Sequence, residues 1–237
     1  MSIIGIDAGS SCIKAIQTDI KGKIINKQLF EKTSIIEALE LFLKHNNINK
    51  KDVEKIVLTG VGKDEIKENI FEIPTEKVDE FKAIATGGLE LAKKQEALVI
   101  SIGTGTAFVM ANNKYKHIGG TGVGGGTLLN LCKLIGNINT IEDINREITK
   151  GNLENVDLTV QDIAVKEIQN LPKDTTSANF GKLNDKANKA DLILGIANMI
   201  FETIGMMAVF RHTKYKLQEY NCYRKYCYNA IFKNSFK

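Results

Sequence analysis

One order of secondary structure is written twice in this 237-residue chain. Ile3–Ile6, Cys12–Gln17 and Lys23–Leu29 read as three short strands separated by turn clusters at Ala8-Gly9-Ser10-Ser11 and Lys21-Gly22-Lys23, which together predict an antiparallel meander. Ile35, Ala38, Leu39, Leu41, Phe42 and Leu43 then recur at helical spacing behind the capping residue Ser34, and Val53–Thr59 is an apolar run of buried-strand length. The order returns at Ala97. Ala97–Ile102, Thr106–Ala111 and Lys114–Ile118 read as strands joined by turns at Gly103-Thr104-Gly105 and Asn112-Asn113, and a helix follows from about Thr127 to Ile135. Two β-β-β-α units, each with a Gly/Ser/Thr-rich first turn, predict an α/β chain of two related lobes facing one cleft.

Between the last strand of the second unit and its helix lies GGTGVGGGT, Gly119 to Thr127, with six glycines in nine residues. Glycine removes the Cβ barrier to positive φ and lets successive N–H groups turn toward an anion, so a phosphate at the N-terminus of the following helix is the expected guest. No Lys-Ser/Thr pair closes the run as in a Walker loop, and it does not open a βαβ unit as a Rossmann fingerprint would. A flexible linker stays open as the bland alternative on composition alone.

Beyond Leu134 the pattern is helical, with helices expected at Thr140–Ile148, Val160–Ile168 and Lys186–Phe210. Leu192–Phe210 carries a single charge, Glu202, over 19 residues, which raises the question of a membrane span. Asn198 and Glu202 near its centre argue against one, because a central carboxylate costs about 2.5–3.5 kcal/mol on insertion. The expectation is a helix buried in a core or at a subunit interface, with no membrane contact.

Composition restricts the setting. Met1–Ile6 is too short for a signal h-region and Asp7 interrupts it, so a cytoplasmic protein is expected. Cys12, Cys132, Cys222 and Cys227 form no CxxC pair, and His45, His117 and His212 are scattered, which predicts reduced thiols and no protein-built metal cluster. The net charge of +4 divides unevenly: residues 211–237 carry +6 and five of the six tyrosines, and the rest of the chain carries −2.

Asp7, at a strand end ahead of the Gly9-Ser10-Ser11 turn and Lys14, is placed to meet phosphates, with Asp7 holding Mg²⁺ through water; an ordinary hairpin turn is the alternative for this stretch taken alone. Gly103-Thr104-Gly105-Thr106 repeats the arrangement in the second unit. At this point GIDAGSSCIK, SIGTGTA and IGGTGVGGGT, in that order and spacing, resemble the phosphate and nucleotide loops of the type II pantothenate kinases, members of the acetate/sugar kinase, heat-shock ATPase and actin superfamily. The resemblance runs from Ser2 to about Phe210 and includes Ser177-Ala178-Asn179-Phe180-Gly181. The first loop alone identifies only the superfamily, and the second and third point to the kinase.

The resemblance implies an actin-like two-lobed ATPase fold of β-β-β-α-β units and phosphorylation of pantothenate to 4'-phosphopantothenate with ATP and Mg²⁺, the first step of coenzyme A synthesis. It assigns Glu80 as the catalytic base, where the residues alone suggest a solvated first-turn helix carboxylate. It assigns Asp7, Gly9, Ser10, Ser11, Lys14, Gly122, Gly124, Gly125, Gly126 and Thr127 to ATP, and Thr104, His117, Gly119 and Gly120 to the substrate. His117 stands where some relatives carry arginine, and a neutral imidazole is no substitute for a permanent cation. A homodimer through Lys186–Phe210 is expected.

The expected divisions are residues 1–93, 94–210 and a basic, Tyr-rich tail, 211–237. The break in charge and motif agreement reads as a truncation or frame change after about Arg211. That predicts an incomplete second lobe, an unpaired edge on Ala97–Ile102 and impaired activity. A tail binding an acidic partner or single-stranded nucleic acid is the weaker reading, and no nucleic acid partner is expected. The rivals to the kinase are a sugar kinase, a 2-hydroxyacyl-CoA dehydratase activator with a cysteine-held iron–sulfur cluster, for which Cys132 alone is poor support, and an inactive nucleotide-binding remnant.

Overall fold

A computed structural model of the chain describes residues 1–31, 33–166, 168, 169, 171–215 and 220–224, with side chains described as far as residue 211. The chain divides into two compact units, residues 1–96 with 111–116 and residues 97–110 with 117–237.

The first unit is a five-stranded sheet flanked by helices: β1 (Ser2–Ala8), β2 (Cys12–Asp19), β3 (Ile24–Glu31), α1 (Ile35–His45), β4 (Val53–Thr59), β5 (Thr75–Lys77) and α2 (Glu80–Ala92). The strand order is β3-β2-β1-β4-β5. β1 pairs antiparallel with β2 and parallel with β4, so it lies at the centre, and the β1-β2-β3 meander read from the sequence is present. Alternation along β1 buries Ser2, Ile4, Ile6 and Ala8. Ile4, Ile6 and Ala8 pack in one core with Leu39 and Phe42 of α1, both fully buried, which is worth about 1.5–3 kcal/mol for each large side chain. Ser34 caps α1 by accepting a hydrogen bond from Glu37 N.

The second unit holds β6 (Ala97–Ile102), β7 (Thr106–Ala111), β8 (Tyr115–Thr121), α3 (Gly125–Gly136), α4 (Ile141–Ile148), β9 (Leu158–Thr159), α5 (Val160–Ile163), β10 (Thr176–Ala178), α6 (Lys189–Tyr215) and β11 (Tyr220–Arg224). The main sheet runs β11-β6-β7-β8, and β9 and β10 form a separate antiparallel ribbon. Its core joins Leu98, Ile100 and Phe108 of the sheet to Leu128, Ile144, Ile193, Ile196 and Ile200 from three helices.

Three expectations need correction. β6 is not left with an open edge: β11 lies parallel to it, from Tyr220 opposite Leu98 to Arg224 opposite Ile102, in the position β4 takes beside β1. A strand therefore occurs within the stretch read as an atypical tail, and the rest of that stretch, residues 216–219 and 225–237, lies outside the described residues. The helix expected over Val160–Ile168 ends at Ile163. Its first amides are held by the 173–175 segment, with Val160 N donating to Thr175 O (2.9 Å) and Gln161 N to Lys173 O (3.0 Å), and Ala164 is already extended. The long helix runs from Lys189 to Tyr215 rather than from Lys186 to Phe210.

By length and hydropathy, Lys189–Arg211 would suffice to cross a membrane, yet more than half of its most apolar window is buried against this unit. Its polar centre is satisfied internally: Asn198 Nδ2 donates to Asp157 Oδ2 (2.9 Å), and Asn179 Nδ2 donates to Glu202 Oε2 (3.1 Å). This is the pattern of a core helix.

Candidate functional site

In the first unit the site residues gather at the C-terminal end of β1. Asp7 is opposite Lys14 on β2 and opposite Thr59 on β4, so the three stand side by side across the middle of the sheet. Alternation puts them on the face away from Ile6 and Ala8, which pack against α1. Asp7 Oδ2 is ion-paired with Lys14 Nζ, and both side chains are about one-third exposed (33% and 39%), so the pair adds little to stability and is open to exchange partners. Gly9 turns the hairpin tightly, since a Cβ there would come within 3.1 Å of Cys12 O, and Ser10 and Ser11 are exposed at its tip.

The sequence reading passed over the loop after β4. Gly60 has φ +87°, and a Cβ there would lie 2.5 Å from Ala8 O and 2.8 Å from Asp7 Oδ1. Only glycine lets this loop close on the carboxylate. A signal was available: Thr59-Gly60-Val61-Gly62 repeats letter for letter as Thr121-Gly122-Val123-Gly124. Glu80 is the first residue of α2, half-buried, beside Asp79, whose side chain caps the helix by accepting from Lys82 N (3.0 Å).

In the second unit the Gly103-Thr104-Gly105 turn is docked directly on the start of α3. Gly125 N donates to Gly103 O (2.8 Å) and Gly126 N to Thr104 O (2.9 Å). Gly124 N donates to Thr127 Oγ1 (3.2 Å), which in turn donates to Gly122 O (3.0 Å). The expectation that successive amides of the glycine run are turned outward to an anion is therefore corrected for Gly124, Gly125 and Gly126, whose donors are taken by the chain itself. Crowding explains Gly124, Gly126 and Gly120 instead. A Cβ on Gly124 would lie 2.7 Å from Gly105 O, one on Gly126 2.9 Å from Thr104 Cγ2, and one on Gly120 2.7 Å from Thr106 O. Gly122 is exposed with nothing within 4 Å of its Cβ position, so it marks the open part of the loop, next to the exposed Thr104 turn.

His117 is exposed on β8. Two residues on, Gly119 has φ +141°, and the space its side chain would fill is taken by Arg211 of α6, with Nη2 2.8 Å from the Cβ position. A permanent cation thus lies against the strand from a residue 92 positions away in sequence, which local motif reading had no means of finding. Cys132 is buried in the core of this unit, and burial pushes its thiol up to about 12, as suits an inert packing residue rather than a ligand.

The residues around Asp7 fit a hydrated Mg²⁺: a hard carboxylate donor that stays one-third exposed, and a cation beside it that can be shared with phosphate. Among the described residues no group of three or more His, Cys, Asp or Glu side chains is placed to hold a metal ion, so phosphate and water would supply the other ligands, the usual arrangement for this cation.

The solved structures with a similar fold include the activator of the 2-hydroxyisocaproyl-CoA dehydratase from Clostridium difficile with bound ADPNP. Its TM-score is 0.64 at 14% identity, over 94% of this chain and 78% of that one. Component A of the (R)-2-hydroxyglutaryl-CoA dehydratase of Acidaminococcus fermentans also has a TM-score of 0.64, at 17% identity, over 89% of this chain and 78% of that one. At such identities these show the fold alone: a mixed α/β chain folded like these two proteins. In sequence, a type II pantothenate kinase of Bacillus anthracis is 30% identical over 227 residues, covering 90% of this chain and 79% of that protein. One of Staphylococcus epidermidis is 28% identical over 224 residues, covering 90% and 81%. The family model described as Fumble matches residues 92–223, a span that takes in the glycine run and β11 as far as Tyr223. With more than half of its length matched by that model and a 30% identical relative aligned along nine-tenths of it, the chain belongs to the type II pantothenate kinases of the Fumble family.

Proposed function

We propose that the chain transfers the γ-phosphoryl group of ATP to the primary hydroxyl of pantothenate, giving 4'-phosphopantothenate, the first step of coenzyme A synthesis. The observation that carries this reading is the similarity to type II pantothenate kinases along nine-tenths of the chain, with the family model covering the second and third glycine-rich loops. Asp7 would hold Mg²⁺ through water, and the bound cation supplies charge neutralisation on the phosphates. Lys14 exchanges its carboxylate partner for a phosphate oxygen, and the Gly9-Ser10-Ser11 turn offers backbone and hydroxyl donors. Glu80 takes the proton of the attacking hydroxyl. On the second unit, Gly122 and Thr127 bound the nucleotide loop. Gly124, Gly125 and Gly126 serve ATP by docking α3 rather than by presenting their amides.

Thr104, Gly119, Gly120 and His117 form the substrate side, and Arg211 is the permanent cation for an anionic substrate that His117 is not. The enzyme acts in the cytoplasm as a homodimer through α6, whose Met206 (46%) and Phe210 (66%) remain exposed. The test is ATP-dependent phosphorylation of pantothenate by the purified chain, with Glu80→Ala as control and light scattering on the same sample. The expected result is 4'-phosphopantothenate from a species of twice the chain mass, with turnover reduced by roughly 10²–10⁴ in the control. Folded protein that forms no 4'-phosphopantothenate from ATP and pantothenate would overturn the reading.

A further inference from the structure

We propose that Thr59 is a positioning residue for the cation–phosphate end of the nucleotide, its hydroxyl pairing with a water of the cation's shell. The proposal rests on the reading that Asp7 holds Mg²⁺. Thr59 Oγ1 is buried without a hydrogen-bond partner, the one such side-chain nitrogen or oxygen among the described residues. A buried orphan hydroxyl is costly, and a valine would fill the same space without that cost.

The opposite end of the same strands shows that the chain pairs such groups elsewhere. Gln17 Nε2 donates to Ser2 Oγ (3.0 Å), and Ser2 Oγ donates to Asp52 O (3.3 Å). Thr59 instead sits at the C-terminal end of a parallel β1–β4 pair, the end at which open α/β sheets bind ligands. It is the register partner of Asp7, it flanks that carboxylate on the side opposite Lys14, and it immediately precedes the glycine that lets the loop close on Asp7 Oδ1. A hydroxyl next to the cation-holding carboxylate, on the side away from Lys14, is placed to meet the hydrated cation.

The test compares wild type, Thr59→Val, Thr59→Ser and Asp7→Asn by melting temperature without nucleotide and by calorimetric affinity for ATP in MgCl₂ and in EDTA. Thr59→Val is expected to melt about 3 °C higher, because it removes an unsatisfied group, and to lose roughly tenfold in affinity in Mg²⁺ with no change in EDTA. Thr59→Ser should match wild type in both. A Thr59→Val protein that melts lower, binds ATP in Mg²⁺ as wild type does, or loses the same factor in EDTA overturns the proposal. Asp7→Asn separates the two levels. If it leaves the Mg²⁺ dependence of binding intact, the cation is not at Asp7 and the underlying reading fails; if it abolishes that dependence while Thr59→Val does not weaken it, only the role of Thr59 fails.

Discussion

Asp191 illustrates how a single residue braces the second unit. It is 1% exposed, and its carboxylate accepts from Asn152 N (2.7 Å), Asn188 N (3.0 Å) and Asn155 Nδ2 (3.0 Å), tying the loop before β9 to the start of α6. Burial pushes its carboxyl up, and the three hydrogen bonds outweigh burial, so the net shift is downward. A carboxyl that ionises more readily folded than unfolded stabilises the fold above the ordinary value of about 3.9, and this contribution is lost as pH falls through the lower folded value. Asp191→Ala should cost about 2–4 kcal/mol, since two backbone amides lose their partner, while Asp191→Asn should cost less at neutral pH and flatten the acid limb of the stability curve. Denaturant titrations at pH 7 and pH 3.5 check both. Nothing in the local sequence announced this residue, because its partners lie up to 39 positions away.

At the scale of elements, periodicity made most of the fold legible. β1, β2, β4, β6, β7, α1 and α4 were read within about two residues at each end, since each has one face in a core and the apolar pattern records it. β5 is three residues long and α5 four, too short to carry a period, and β11 has no clean alternation. The site was legible as a set of loops, but the reason for its glycines was not. A sequence displays the freedom of glycine, whereas the close approach that demands it is a tertiary fact. Gly124 and Gly122 separate the two causes. Gly124→Ala drives a Cβ into the Gly105 carbonyl, which has no freedom to swing away, and should lower stability by about 3 kcal/mol or more and loosen the docking of α3. Gly122→Ala meets nothing within 4 Å and its φ is not positive, so the melting temperature should stay within about 1 °C while ATP affinity falls. If both variants melt alike, crowding is not what selects these residues.

For the whole molecule, the informative comparison is between its two sheets. In the first, β1 is covered on one edge by β2 and on the other by β4, which follows α1 closely in sequence. In the second, β6 has the same two kinds of neighbour, but the strand equivalent to β4 comes only after α6, more than 100 residues later. The β-β-β-α repeat was therefore easy to see, and its closing strand was obscured by a stretch whose charge and tyrosine content look foreign to the rest. β6 is buried at Ala97, Leu98, Val99, Ile100 and Ile102, so its β11 edge is a row of backbone donors and acceptors on an apolar strand. A chain ending at residue 215 removes β11 and leaves that row open. It should aggregate at micromolar concentration, losing the cooperative melting of the second unit, while Cys222→Pro, in the middle of β11, should lower stability without abolishing folding. Light scattering and calorimetry on the two variants measure this directly. A shortened chain that stays monodisperse and melts like the full-length protein would mean that β6 needs no partner on that side and that β11 contributes nothing to the fold.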